Sequence, residues 1–194
     1  GFIGADLRRN CIVYTQNTTA ALDLAAHIMS ELPGIVLATE MEHHSNDLPH
    51  RQRGEVKHVR VRDDGTLDLA HLDALLAAHR VKLVAVTGAS NVTGIMPPIH
   101  DIAARAHAHG ARILVDAAQL LAHHPIDVRP DGDPGHIDFI AAAGHKAYAP
   151  FGAAFLFGPR DAFDQAEPYQ PGGGTVACVT AERVFWLPAP DRHH

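Results

Sequence analysis

The chain has 194 residues, 46% of them hydrophobic and 20% charged, with a formal net charge of −6. That size and apolar fraction suit one sizeable α/β domain or two small ones and argue against intrinsic disorder. The acidic balance leaves no electrostatic footprint for nucleic acid, and apolar runs such as 35–38 and 83–86 are too short to cross a bilayer.

The predicted elements alternate along the chain. Residues 11–15 (CIVYT) form a short β-branched run, and 20–32 carry apolar residues at helical spacing up to Pro33-Gly34. Ile35–Thr39 reads as a strand followed by a polar stretch over 40–47. Residues 56–61 read as a strand, Asp63-Asp64-Gly65 as a turn, and 68–79 as an amphipathic helix with Leu69, Leu72, Leu75 and Leu76. Residues 83–87 form the next buried strand. The helix at 99–109 stops at Gly110, Arg112–Asp116 (RILVD) is another strand, and 137–141 and 153–157 complete the series. Gly172-Gly173-Gly174 follows no strand–helix signal and reads as a flexible loop. Short strands separated by helices predict βα units and a mainly parallel sheet, whose ligands bind beyond the carboxyl ends of the strands.

Composition sharpens the search there. Cys11 and Cys178 cannot make a disulfide framework and fit a reducing compartment, and no secretory signal opens the chain, so the expectation is a soluble, cytoplasmic domain. Neither a G-x-G-x-x-G nor a G-x-x-x-x-G-K-[ST] cradle is present, and no zinc spacing occurs. Histidine occurs 16 times and lysine three times, as Lys57, Lys82 and Lys146.

Asn17-Thr18-Thr19 ends a strand and opens a helix, with Thr18 or Thr19 expected at the N-cap. Such an end serves as a plain cap or as a phosphate site. Asp116 ends the RILVD strand, where a carboxylate either caps the next helix or pairs with a protonated ring nitrogen; Gln119 could reach the same ligand. Lys57 and Lys82 read as solvated surface positions. Lys146, between His145 and Ala147 beyond a strand, reads either as a snorkelling lysine or as a desolvated amine suited to a Schiff base. His43 and His44 carry no third-ligand signature for a metal, and stacking on an aromatic cofactor ring is the favoured use of such an imidazole.

Five motifs in order, Thr15-Gln16-Asn17-Thr18-Thr19, Glu40-Met41-Glu42-His43-His44-Ser45-Asn46, Ser90-Asn91-Val92-Thr93-Gly94, Leu114-Val115-Asp116-Ala117-Ala118-Gln119 and Gly144-His145-Lys146-Ala147-Tyr148, cover most of the chain. Together they resemble the fold-type I, class V family of pyridoxal-phosphate enzymes, and within it the cysteine desulfurase and selenocysteine lyase branch. The resemblance implies an α/β fold, a mainly parallel sheet sandwiched by helices. It makes residues 1–194 the pyridoxal 5′-phosphate-binding large domain, without the C-terminal small domain. It implies that Asn17, Thr18 and Thr19 hold the phosphate, that His43 stacks on the ring and that Asp116 pairs with the pyridine nitrogen. Asn91 and Gln119 would lie near the ring hydroxyl, His145 would reach the phosphate, and Lys146 would form the Schiff base.

The same resemblance implies a small amino-acid substrate drawn into an external aldimine, a homodimer, and a sulfur-acceptor protein if the enzyme is a desulfurase. A transaminase, epimerase or lyase of the same class, or a cofactor-binding domain without turnover, is the alternative reading. Three departures stand out. Ala143 occupies the place of a family serine, Tyr148-Ala149-Pro150 replaces Tyr-Gly-Pro, and Cys178 is misplaced to act as the persulfide cysteine of the small domain.

Overall fold

Alternating burial on the strands sets the architecture. The computed structural model describes residues 3–193. On β4 (Val81–Thr87), Leu83 and Ala85 join one buried cluster while Val84 and Val86 join the other. The alternation continues on β5 (Arg112–Asp116), with Leu114 opposite Ile113 and Val115. On β6 (Phe139–Ala143), Phe139 and Ala141 lie opposite Ile140 and Ala142. Strands buried on both faces require helices on both faces. One face is covered by α1 (Thr18–Ser30) and α6 (Arg160–Gln165), through Leu22, Leu24, Ile28, Met29 and Phe163. The other is covered by α3 (Leu69–Ala78) and α4 (Ile99–Ala108), through Leu72, Leu76, Ile102 and Ala106.

The sheet has seven strands in the order β1-β7-β6-β5-β4-β2-β3. Here β1 is Asn10–Thr15, β2 Ile35–Thr39, β3 Val56–Val59 and β7 Ala154–Pro159. β3, β2, β4, β5 and β6 pair in parallel, as the βα spacing predicts, and β7 and β1 add two antiparallel pairings at one edge. Two reversals leave β1 running the same way as β6, so the chain leaving Thr15 reaches the rim shared by the carboxyl ends of the parallel strands.

Short elements escape the sequence reading. α2 (Leu48–Arg53) and α5 (Leu120–His123) are too brief to display a helical period, and α6 is as short as α2. A separate hairpin of β8 (Val176–Val179) and β9 (Val184–Trp186) follows Gly172-Gly173-Gly174, which lie in a turn. Lys82 departs from the expected solvated position. It is half-buried, and its ammonium donates to the Leu32 carbonyl at 3.0 Å beyond the end of α1. Lys57 sits on the edge strand β3, paired with Glu55 at 3.3 Å.

His50 on α2 is 3% exposed, and its Nε2 is buried without a partner. Burial, reinforced by Arg53, pushes its imidazole down to about 4. The unfolded chain therefore binds a proton near pH 6.5 that the folded chain refuses until about 4. Stability from this group is present above 6.5 and is lost as pH falls through that window. Urea midpoints measured from pH 7 to 4 should fall less steeply for His50→Leu than for the parent. Parallel curves would contradict the assignment.

Candidate functional site

The direction of the chain's windings reverses between β2 and β4. β2 is followed by β3 on its outer side, whereas β4 is followed by β5 on the other. In open α/β sheets this switch point opens a crevice outside the carboxyl ends of the strands. A cleft of about 160 Å³ lies there. Asn17, Thr18, Thr19, His43, Asn91, Asp116, Gln119, His145 and Lys146 all line it, so the fold gathers every candidate named from the sequence. Leu22, Ala89 and Ala118 supply apolar wall, and Ser45 and Thr87 are lining residues to which the sequence reading gave no role.

One end of the cleft is the amino terminus of α1. The N-cap is Asn17, in place of the expected threonine: its backbone is extended and its Oδ1 accepts from Ala20 N–H at 2.8 Å. Asparagine caps at least as well as threonine, and its use frees both hydroxyls. Thr19 Oγ1 shares a 2.9 Å hydrogen bond with Ser45 Oγ, while Thr18 Oγ1 is buried without a partner. A 13-residue helix thus presents its positive end, free amides and a spare hydroxyl to the cleft.

His43 caps the 3-10 turn His44–Asn46, with Nδ1 accepting from Ser45 N–H at 3.2 Å and lying 3.0 Å from Ser45 Oγ. A backbone donor on Nδ1 assigns the neutral ring's proton to Nε2. Asp116 shares its sheet face with Leu114, the α1 side, and is 5% exposed. Its carboxylate accepts from Ala118 N–H at 2.9 Å, so it shapes its own turn rather than capping α5. Burial pushes its carboxyl above the ordinary value, opposed by the Ala118 bond and by the nearby Lys146 and His43 side chains.

Lys146 lies on the 3-10 turn Gly144–Ala147 that follows β6. Gly144 is required there, since a Cβ would come within 2.9 Å of the Ala153 carbonyl. The turn lifts Lys146 onto the open side of the cleft, where it is exposed, so the desolvation expected for it is not supplied by the described residues. His145 stacks on Phe151 at 4.9 Å with its Nδ1 buried and partnerless. In this loop Tyr148 is left-handed, at φ 65°, and Ala149 is not, which explains why alanine is accepted at 149. Asn91 is exposed in the loop after β4, Gln119 is half-buried before α5, and Ala143 does not line the cleft.

These groups suit a phosphorylated pyridine. Thr18 Oγ1 and His145 Nδ1, two buried polar atoms with unmet hydrogen-bonding capacity, both belong to residues lining this cleft, and Asp116 offers an acid to a ring nitrogen. Among the described residues no group of three His, Cys, Asp or Glu is placed to hold a metal, and no helix is long and apolar enough to cross a membrane. Cys11 is buried in β1 and Cys178 is exposed on β8, both outside the cleft.

The sequence profile of the family described as Aminotransferase class-V matches residues 1–194. A cysteine desulfurase from Haloferax volcanii is 39% identical over 198 residues, covering 97% of this chain and 45% of the relative. One from Pectobacterium atrosepticum is 39% identical over 178 residues, 87% of this chain and 42% of the relative. Among solved structures, the apo cysteine desulfurase of Thermococcus onnurineus superposes with a TM-score of 0.86 at 32% identity, over all of this chain and 48% of that one. A cysteine desulfurase from Escherichia coli gives 0.83 at 30% identity, over 94% and 47%. The chain thus spans less than half the length of these relatives.

Glu42 lies behind the cleft wall, and burial pushes its carboxyl up to about 8 from an ordinary 4.5, against hydrogen bonds from Thr39, Asn46 and Thr87. The folded chain therefore keeps a proton that the unfolded chain releases, and this contribution to stability is lost as pH rises from about 4.5 through 8. Glu42→Gln cannot ionise, so its urea midpoint relative to the parent should rise between pH 5 and 8.5. A difference independent of pH would contradict this.

Proposed function

This chain belongs to the class V aminotransferase family, and we propose that residues 1–194 form the cofactor-binding large domain of a cysteine desulfurase-like enzyme. The family takes pyridoxal 5′-phosphate, and the residues of the cleft fit that group. The reading rests chiefly on the convergence of nine residues from five separate loops on one cleft, with Thr18 and His145 carrying unpartnered polar atoms.

In this reading the amides and hydroxyls of Asn17, Thr18 and Thr19, with His145, hold the phosphate. His43 lies against the ring, Asn91 and Gln119 meet its hydroxyl, and Asp116 keeps its nitrogen protonated. Pyridoxal phosphate, when bound, supplies an electron-withdrawing ring that stabilises negative charge at an amino acid's α-carbon. Lys146 would hold the cofactor through its Nζ and would carry the α-proton of the substrate. The open side of the cleft at Lys146 leaves room for a second surface to desolvate the amine. A homodimer, a small amino-acid substrate and a sulfur-acceptor protein complete the proposal, by likeness to the desulfurases. Neither an arginine for the substrate carboxylate nor a cysteine for its sulfur lines the cleft among the described residues.

Three outcomes are expected. Borohydride reduction followed by peptide mapping should place the pyridoxyl label on Lys146, and a label on Lys57 or Lys82 would overturn the assignment. The same preparation should release no sulfide from cysteine beyond one turnover, because carboxylate clamp and thiol acceptor are both missing from the cleft; sustained release would refute that part. Replacing Thr18 and Thr19 together by valine should weaken cofactor binding by about 1–1.5 kcal/mol per lost bond. An unchanged dissociation constant would remove the phosphate from the end of α1.

A further inference from the structure

The Glu42 carboxyl group lies where β2 and β4 part. Their parallel pairing ends at Ala38 and Ala85, and beyond it β2 keeps β3, with Glu40 N–H donating to the Val59 carbonyl at 3.0 Å. Thr87 N–H, at the end of β4, has no strand partner on that side. It donates to Glu42 Oε1 at 2.8 Å. Thr39 Oγ1 also donates to Oε1, and Asn46 Nδ2 donates to Oε2 at 2.6 Å. One side chain therefore joins the end of β2, the turn capped by His43, and the end of β4. Thr87 lines the cleft and is the register partner of Asp116, and His43 is the next residue after Glu42.

We propose that Glu42 is a positioning residue for pyridoxal phosphate: by tying the His43 segment to Thr87 it sets the width of the crevice that receives the ring. The proposal rests on the reading of the cleft given above. Its chemistry is that of a neutral acid. Burial pushes Glu42 up to about 8 and Asp116 reinforces the shift, so near neutrality the tie adds no second negative charge beside Asp116. The acid's proton has an acceptor within reach. Asn46 Oδ1 is buried without a partner, and a half-turn of that amide exchanges its oxygen for its nitrogen. Glutamine at position 42 would mimic this state, presenting Nε2–H to Asn46 and an oxygen to Thr87. Alanine would leave Thr87 N–H without its acceptor and the Asn46 amide without its partner.

The test compares the parent with Glu42→Gln and Glu42→Ala, each titrated with pyridoxal phosphate and, separately, with inorganic phosphate. Affinity and the circular dichroism induced in the bound ring are both read. Glu42→Ala should bind pyridoxal phosphate about ten- to a hundred-fold more weakly, with an altered induced signal, whereas Glu42→Gln should stay within about three-fold of the parent. Inorganic phosphate should bind all three about alike, because the Thr18 hydroxyl and the first amides of α1 are not bonded to the Glu42 segment, which meets α1 through Thr19 and Ser45; a general collapse of the site would lose it as well. Should Glu42→Ala fail to fold, Asn46→Ala removes one tie, and a several-fold loss confined to pyridoxal phosphate is expected. Parental affinity and signal in Glu42→Ala, or in Asn46→Ala in its place, would overturn the proposal. So would a Glu42→Gln variant as impaired as Glu42→Ala. A parent that binds no pyridoxal phosphate would instead overturn the functional reading on which the proposal stands.

Discussion

The site depends on a single topological constraint, the parting of β2 and β4 where the winding of the sheet reverses. Parallel strands satisfy each other's amides along their length, and where two of them separate the exposed backbone needs other partners. Here the Glu42 carboxyl group takes the Thr87 amide, and the loops leaving β1, β2, β4, β5 and β6 all open on the same rim. Each loop delivers one part of the cleft: an anion-binding helix end, an imidazole, an exposed amide, a buried acid and a lysine. The helices contribute mainly by closing both faces of the sheet from which that rim rises.

The electrostatics of the cleft run from one end to the other. The amino terminus of α1 presents partial positive charge and hydroxyl groups, while Asp116 brings a carboxyl group that burial makes reluctant to ionise. Lys146, whose positive charge favours the ionised form of Asp116, is itself a cleft residue. A dianionic phosphate at one end and a protonated ring nitrogen at the other would match this layout charge for charge. Glu42 fits the same scheme, tying the strands together while its proton keeps further negative charge away from Asp116.

Much of this was legible from residue patterns. β-branched runs ending in polar clusters located the strands and their functional ends, whereas Asp116 and Asn17-Thr18-Thr19, ordinary helix-capping residue types, gained a cofactor role only in company with the other three motifs. Other features depend on contacts that spacing does not encode. Capping by Asn17 rather than by Thr18 or Thr19 follows from the backbone staying extended through Asn17 and turning helical at Thr18, and the inward turn of Glu42 requires β4 to lie beside β2. Lys146 looked desolvated because its sequence neighbours are apolar or small; the 3-10 turn after β6 instead sets it on the open side. Lys82 looked solvated because it begins a strand, yet the end of α1 folds back over it. The short helices α2 and α5 and the hairpin of β8 and β9 leave too few residues for a period to emerge.

The central claim is that the crevice at the switch point receives pyridoxal phosphate with its phosphate on the first turn of α1. A crystal structure of the chain grown with the cofactor tests it most directly. Phosphorus density is expected within hydrogen-bonding reach of the Thr18 hydroxyl and the amides of that turn, with the ring between His43 and Asp116. Density for the cofactor elsewhere on the molecule, or in the cleft with the phosphate directed toward Asp116, would contradict it.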